Sequence, residues 1–285
     1  MTSTDIRRLR FISRRIVFQI GLIVLGFIML YPVLWMIACS FKSNTEIFGS
    51  ASLIPKEFLL ENYVRGWKYI GRTNFSTFFL NSFKYSILAT IGTVFSSAVV
   101  AFGFARIRFR GRNAWYACMF ITLILPFQVI MIPQFIIFQK LGWVNTFLPL
   151  VVPMFLGQPF FIFLMVQFIR GIPMELDESA LIDGCKSFGI FTRIIFPLIT
   201  PALITTTIFS FYWRWDDFLG PLLYLNKTNL YTVSLALRLY SDPMTSTDWG
   251  AIFAMGTLSL LPILLVFVLF QRYLTEGIST TGLKT

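Results

Sequence analysis

Six stretches of this 285-residue chain are apolar for about 20 residues or more, with polar or charged segments between them. A helix needs about 20 residues to cross the ~30 Å hydrocarbon core of a bilayer. Within lipid, only structures that pair every backbone N–H and C=O internally persist. The stretches fall at roughly 16–41, 79–104, 114–138, 147–169, 194–219 and 250–273. The pattern predicts an all-α, polytopic membrane protein with six transmembrane helices. Composition agrees, since 13% of the residues are charged against about 25% in soluble domains.

The chain then divides into an N-terminal segment 1–15, a six-span domain 16–274 and a tail 275–285. Met36-Ile37-Ala38-Cys39 resembles a lipoprotein cleavage box, but the run containing it exceeds the 7–15 apolar residues of a signal peptide. It is expected to remain as the first span. Six spans place both termini on one side. That side, with the turn at 106–112 and the loop at 170–193, holds 14 Lys or Arg against 8 in the longer opposite loops. Excess basic residues mark the cytoplasmic side, so both termini are expected there. The same bias accounts for the net charge of +11 without invoking nucleic acid.

Several chemistries are excluded. The chain has no histidine, and Cys39, Cys118 and Cys185 are widely separated, so no metal site, His-dependent acid–base mechanism or disulfide is expected. Gly184-Cys185-Lys186-Ser187 and Gly282-Leu283-Lys284-Thr285 lack the Gly-Lys-Ser/Thr core of a phosphate-binding loop. No catalytic residue and no cofactor is assigned to this chain, and energy from a nucleotide has to come from another one.

The loop at 171–193, between the fourth and fifth runs, is the polar feature with most content. Glu175, Asp177, Glu178 and Asp183 would each cost roughly 2.5–3.5 kcal/mol at a bilayer centre, so the segment lies outside lipid. Pro173 and the acidic residues suit a helix N-terminus, Asp183-Gly184 suits its end, and Ser187 suits the cap of a second helix. Ala180 and Gly184 are small enough for close contact, and Leu181, Cys185 and Phe188 form an apolar strip. A helix lying on lipid would normally carry a basic polar face; this one is acidic, which favours docking to a protein. Glu178 either pairs with a cation on that protein or satisfies its own helix N-terminus.

This loop resembles the EAA loop of ABC importer permeases. Glu178-Ser179-Ala180, Gly184, Ile194 and Pro197 keep the family's spacing, with Ser179 and Phe196 as departures. The similarity extends along the chain to the MalG-type, carbohydrate-importing branch. It is carried by Ala105-Arg106-Ile107-Arg108-Phe109-Arg110-Gly111-Arg112, Leu125-Pro126 with Gln128 and Pro133, and Leu141-Gly142 with Asn145-Thr146. Asp183-Gly184, Trp215, Asp217-Phe218-Leu219, Pro221-Leu222 and Gln271-Arg272-Tyr273 add to it.

The resemblance implies a MetI-like permease subunit of the bacterial cytoplasmic membrane that performs no chemistry itself. Its implied partners are a second, non-identical permease, a cytosolic ATPase dimer holding ATP and Mg, and an extracellular solute-binding protein delivering a sugar or oligosaccharide. Alternating access would be coupled to the ATPase through Glu178, Ser179, Ala180, Asp183, Gly184, Ile194 and Pro197. Tail residues Glu276, Gly277, Gly282 and Lys284 would also reach the ATPase.

Tyr212, Trp213, Trp215, Asp216 and Asp217 offer the aromatic faces and carboxylates that sugars use, ~27–36 Å from the cytosolic end of the fifth span at 1.5 Å per residue, in its outer half or rim. The alternative is an interfacial aromatic belt with Arg214 snorkelling or paired to Asp216 or Asp217. Gln128, Gln134 and Gln158 stand beside prolines inside spans, either lining a pathway or bonding across helices. An ion-coupled secondary transporter is the rival class. It calls for repeated halves and a mid-membrane carboxylate at broken helices, and the sequence displays neither.

Overall fold

The computed structural model describes residues 3–68, 73–240 and 247–279, with side chains described over 14–68, 73–239 and 247–272. Among the described residues there is no strand. Four helices are long and apolar enough to cross a membrane: Arg14–Cys39, Phe75–Arg106, Leu148–Arg170 and Trp249–Arg272. Two bent pairs satisfy the same criteria, Arg112–Ile124 with Phe127–Lys140 and Ser187–Leu198 with Thr200–Trp215. With each bent pair crossing once, the spans number six.

The bend in the fifth span corrects the length reckoned along it as one unbroken helix, and the third span is bent as well. The third turns by 101° and the fifth by 74°. Pro126 supplies no N–H and biases the residue before it away from helix, and Leu125 is extended at φ −71°, ψ 119°. In the fifth, Pro197 and Pro201 bracket Ile199, where the backbone leaves helical geometry at ψ 14°. The preceding turn, Phe191–Ile195, is a π-helix. The upper helix Thr200–Trp215 has 16 residues, about 24 Å at 1.5 Å per residue. Tyr212 thus stands ~18 Å beyond the bend along this helix, and the ~27–36 Å reckoned along an unbroken span does not hold.

The chain forms two compact units, Met1–Lys68 with Tyr240–Leu258 and Tyr69–Leu239 with Ser259–Thr285. In the first, helix Ser3–Cys39 runs without a break at residue 15, and its apolar side chains from Ile16 to Leu34 are exposed, as a lipid-facing surface requires. Asn62 organises the loop that follows. Fully buried, its amide donates to Ser40 O and Lys42 O, both at 2.9 Å, and its carbonyl accepts from Arg65. Gly250 leaves the room: a Cβ there would sit 2.6–2.8 Å from the Asn62 amide atoms. Gly250→Ala is thus expected to displace Asn62 and cost about 2–3 kcal/mol, measured as a lowered unfolding midpoint in detergent.

The second unit is built around Phe75–Arg106. Half of its most apolar stretch is buried, against 11% for the first and last spans, so this span is the packing axis. Small and hydroxylated residues make that possible by letting backbones approach. Ala98, Ala101 and Phe102 pack with Ile162, Met165, Val166 and Ile169, and with Ile190, Phe191, Ile195, Ile199, Ala202 and Leu203. The fourth span tightens beside it into a 3-10 helix at Val152–Leu156 and breaks at Gly157, where φ is +89°. The freed backbone is satisfied by the axis: Gly157 N–H donates to Ser96 Oγ at 3.1 Å and Gln158 N–H to Ser97 Oγ at 3.2 Å. Irregular backbone at membrane depth persists only with such protein partners.

Candidate coupling site

The loop between the fourth and fifth spans folds as helix Glu175–Ile182 and the start of helix Ser187–Leu198, which runs on as the first half of the bent fifth span. Glu175, Asp177 and Glu178 occupy the first turn, where the helix dipole favours them. The first helix ends in a Schellman motif. Cys185 N–H donates to Ala180 O at 2.9 Å and Gly184 N–H to Leu181 O at 3.0 Å. The residue between, Gly184, adopts the left-handed φ of +81° that this motif requires. Nothing lies within 4 Å of where its Cβ would be. Backbone conformation, rather than close packing within the chain, accounts for glycine here. Ser187 is not the cap of the second helix; that position is held by Lys186 in extended geometry with no side-chain cap bond.

The loop presents one face outward and one inward. Glu178, Ser179, Asp183 and Gly184 are exposed, as are Leu181, Ile182 and Phe188 at 56%, 87% and 76%. The three lie on a loop whose exposed side chains are otherwise mostly polar. Ala180 is buried, Cys185 and Ile194 are half-buried, and Pro197 is exposed beside the π-turn. The inward face holds a residue that the sequence reading passed over. Asp177 is buried and forms an ion pair of 2.8 Å with Arg106 at the end of the central span. Burial pushes its carboxyl above the ordinary value, while Arg106 pulls it back down.

The 212–218 segment separates into committed and open side chains. Trp215 is 3% exposed, stacks on Phe211 and donates its indole N–H to Ser259 O at 3.0 Å. Asp217 accepts from the buried Tyr85 hydroxyl at 2.7 Å through Oδ2 and from Gly220 N–H at 3.0 Å through Oδ1. The ion pair of Arg214 with Asp216 or Asp217, one of the two alternatives for that side chain, is absent among the described residues. Tyr212, Trp213 and Asp216 remain exposed, with Trp213 resting on Phe160 and Phe161. Gln128 is exposed and Gln134 half-buried; half-buried Gln158 turns back to Pro153 O of its own span at 3.4 Å. The cysteines are unbonded, and Cys118 is exposed rather than packed. Glu276 and Gly277 continue the last helix, with side chains outside the described residues; Gly282 and Lys284 lie outside them entirely.

Apolar helical spans, two of them bent, with a folded polar loop before the fifth, make this a polytopic membrane protein. The chain belongs to the family of binding-protein-dependent transport system inner membrane components, whose family model matches residues 93–280. It is 35% identical to the probable ABC transporter permease protein YurM of Bacillus subtilis strain 168, over 89% of this chain and 83% of that one. It is 31% identical to the trehalose/maltose transport system permease protein MalG of Thermococcus litoralis, over 96% and 98%. The fold matches a chain of a crystallised bacterial ABC transporter involved in the import of the acidic polysaccharide alginate. There the TM-score is 0.80 with 19% identity, covering 96% of this chain and 98% of that one. The chain is thus a permease subunit of a binding-protein-dependent ABC importer in the cell membrane, and ATP hydrolysis belongs to a separate subunit.

Proposed function

We propose that the chain carries a sugar or oligosaccharide across the bacterial cytoplasmic membrane by alternating access. In this reading it pairs with a second, non-identical permease, receives substrate from an extracellular solute-binding protein, and is driven by a cytosolic ATPase dimer that binds ATP and Mg. Both termini and the 171–193 loop face the cytosol, in line with the distribution of basic residues. The observation that carries the reading is the exposed surface of the loop. Leu181, Ile182 and Phe188 surround the Gly184 turn, with Glu178 at the other end of its helix, a combination suited to a protein cleft and unsuited to lipid. Support for a sugar comes from relatives named for such cargo, arabinooligosaccharides and trehalose/maltose among them. Within the chain, Tyr212, Trp213 and Asp216 are the members of the aromatic segment whose side chains are open. Tail contact with the ATPase through Glu276, Gly277, Gly282 and Lys284 belongs to the same proposal.

The test is uptake of labelled oligosaccharide by proteoliposomes of the complete importer. Uptake is expected to require ATP and the binding protein and to stop with vanadate. Uptake that survives vanadate and collapses with an ionophore would instead assign the chain to ion-coupled transport.

A further inference from the structure

Arg106 ends the central span, and all three of its guanidinium nitrogens turn onto the segment that opens the loop. Nε lies 2.8 Å from Asp177 Oδ2, Nη2 donates to Ile172 O at 2.7 Å, and Nη1 approaches Met174 Sδ at 2.9 Å. Both side chains of the pair are buried, at 6% and 8% exposure. The neighbouring Arg108, Arg110 and Arg112 make no ion pair among the described residues. Glu175, Glu178 and Asp183 point outward, whereas Asp177 and Ala180, three residues apart on one helix face, point in. Ala180 joins the same buried cluster as Ala98, Ala101 and Phe102 of the central span. Two independent ties, one ionic and one apolar, therefore bind the first loop helix to the axis of the unit.

A buried pair of this kind adds little net stability over an apolar substitute, yet removing one partner strands the other charge. Its value is geometric. The ion pair holds the distance, while the Nη2 bond to Ile172 O fixes the direction of the planar guanidinium, which the single ammonium of lysine would not do. We propose that Arg106 is a positioning residue of the transport cycle: it locks helix Glu175–Ile182 to span Phe75–Arg106, so that the two move as one body when the ATPase moves the loop. This rests on the reading that the loop docks an ATPase. It adds that the stroke enters the central span directly, besides travelling along the chain through the fourth and fifth spans.

The experiment uses the complete importer in proteoliposomes, in a Cys39→Ala, Cys118→Ala, Cys185→Ala background. Spin labels on Glu175→Cys and Phe95→Cys, both exposed positions, report the separation of loop helix and central span. The expected result is one narrow distance that changes by no more than about 2 Å between nucleotide-free and vanadate-trapped states, the scale of packing adjustments within a moving body. In Arg106→Gln and Asp177→Asn the distribution should broaden. Both variants should still co-purify with the ATPase while uptake falls at least about tenfold, ~1.4 kcal/mol in coupling, and Arg106→Lys should recover part of it. If Arg106→Gln fails to accumulate, the nearly isosteric Asp177→Asn carries the test. A wild-type distance that shifts well beyond that range between states would overturn the proposal, as would unbroadened distances or full uptake in the variants. Failure of the unaltered chain to assemble with any ATPase would count against the functional reading instead, and the label distances in the chain alone would still decide whether Arg106 locks the loop.

Discussion

Gly184→Asp is expected to abolish ATP-driven uptake while leaving membrane insertion and the packing of the spans intact. The position is strained for any other residue, because φ is +81° and a side chain in the left-handed region costs roughly 1–2 kcal/mol. Asp tolerates that region better than most residues, so the Schellman hydrogen bonds from Cys185 and Gly184 to the helix above should largely persist. No atom lies within 4 Å of the added Cβ, so nothing inside the chain is displaced. The damage falls on the outer face. A new carboxylate would stand beside Asp183, at the negative end of the helix dipole, between the exposed Leu181 and Ile182 and the exposed Phe188. Burying that charge in a protein cleft without a partner costs more than the apolar contact returns. Uptake in proteoliposomes should fall at least tenfold, equivalent to ~1.4 kcal/mol of docking, and co-purification with the ATPase should weaken in parallel. Gly184→Ala supplies the strain without the charge and should lose much less. Normal uptake by Gly184→Asp would remove the loop from the coupling path.

The parts of this fold that the sequence made legible are those whose causes are local. Pro173, the clustered acids and Asp183-Gly184 fix the first loop helix within a residue or two, because dipole, proline geometry and left-handed glycine all act over one turn. Ser187 misled because a serine beside a helix start is equally compatible with the first helical position, and Lys186 takes the cap with its backbone alone. The prolines at 126, 197 and 201 were visible, but a proline permits a bend without setting its angle. The relation of Arg106 to Asp177, and of Tyr85 to Asp217, was hidden because each joins side chains from elements far apart in the sequence. Arg106 reads as one basic residue among four in its turn, and Asp177 as one acid among four in its loop. Only the three-dimensional placement singles them out.

Tyr85 and Asp217 bear on a further expected result, for Asp217→Ala. If Asp217 is spent internally, this change should lower the stability of the permease and leave its dependence on substrate concentration unaltered. Both carboxylate oxygens are occupied, one by the Tyr85 hydroxyl at 2.7 Å and the other by Gly220 N–H at 3.0 Å. Tyr85 is 1% exposed, so alanine would strand a buried hydroxyl at about 1–3 kcal/mol and free the amide that starts helix Leu219–Tyr224. Loss of a capping acceptor adds about 1 kcal/mol, and the unfolding midpoint should drop by about 5 °C or more. Asp217→Asn keeps an acceptor for Tyr85 and should lose less. Asp216→Ala should behave in the opposite way. Its side chain is exposed and makes no ion pair among the described residues, so removing it leaves the fold untouched, and any effect must appear in transport. A change in half-saturating substrate concentration for Asp217→Ala at an unchanged midpoint would place that carboxylate on the substrate's path.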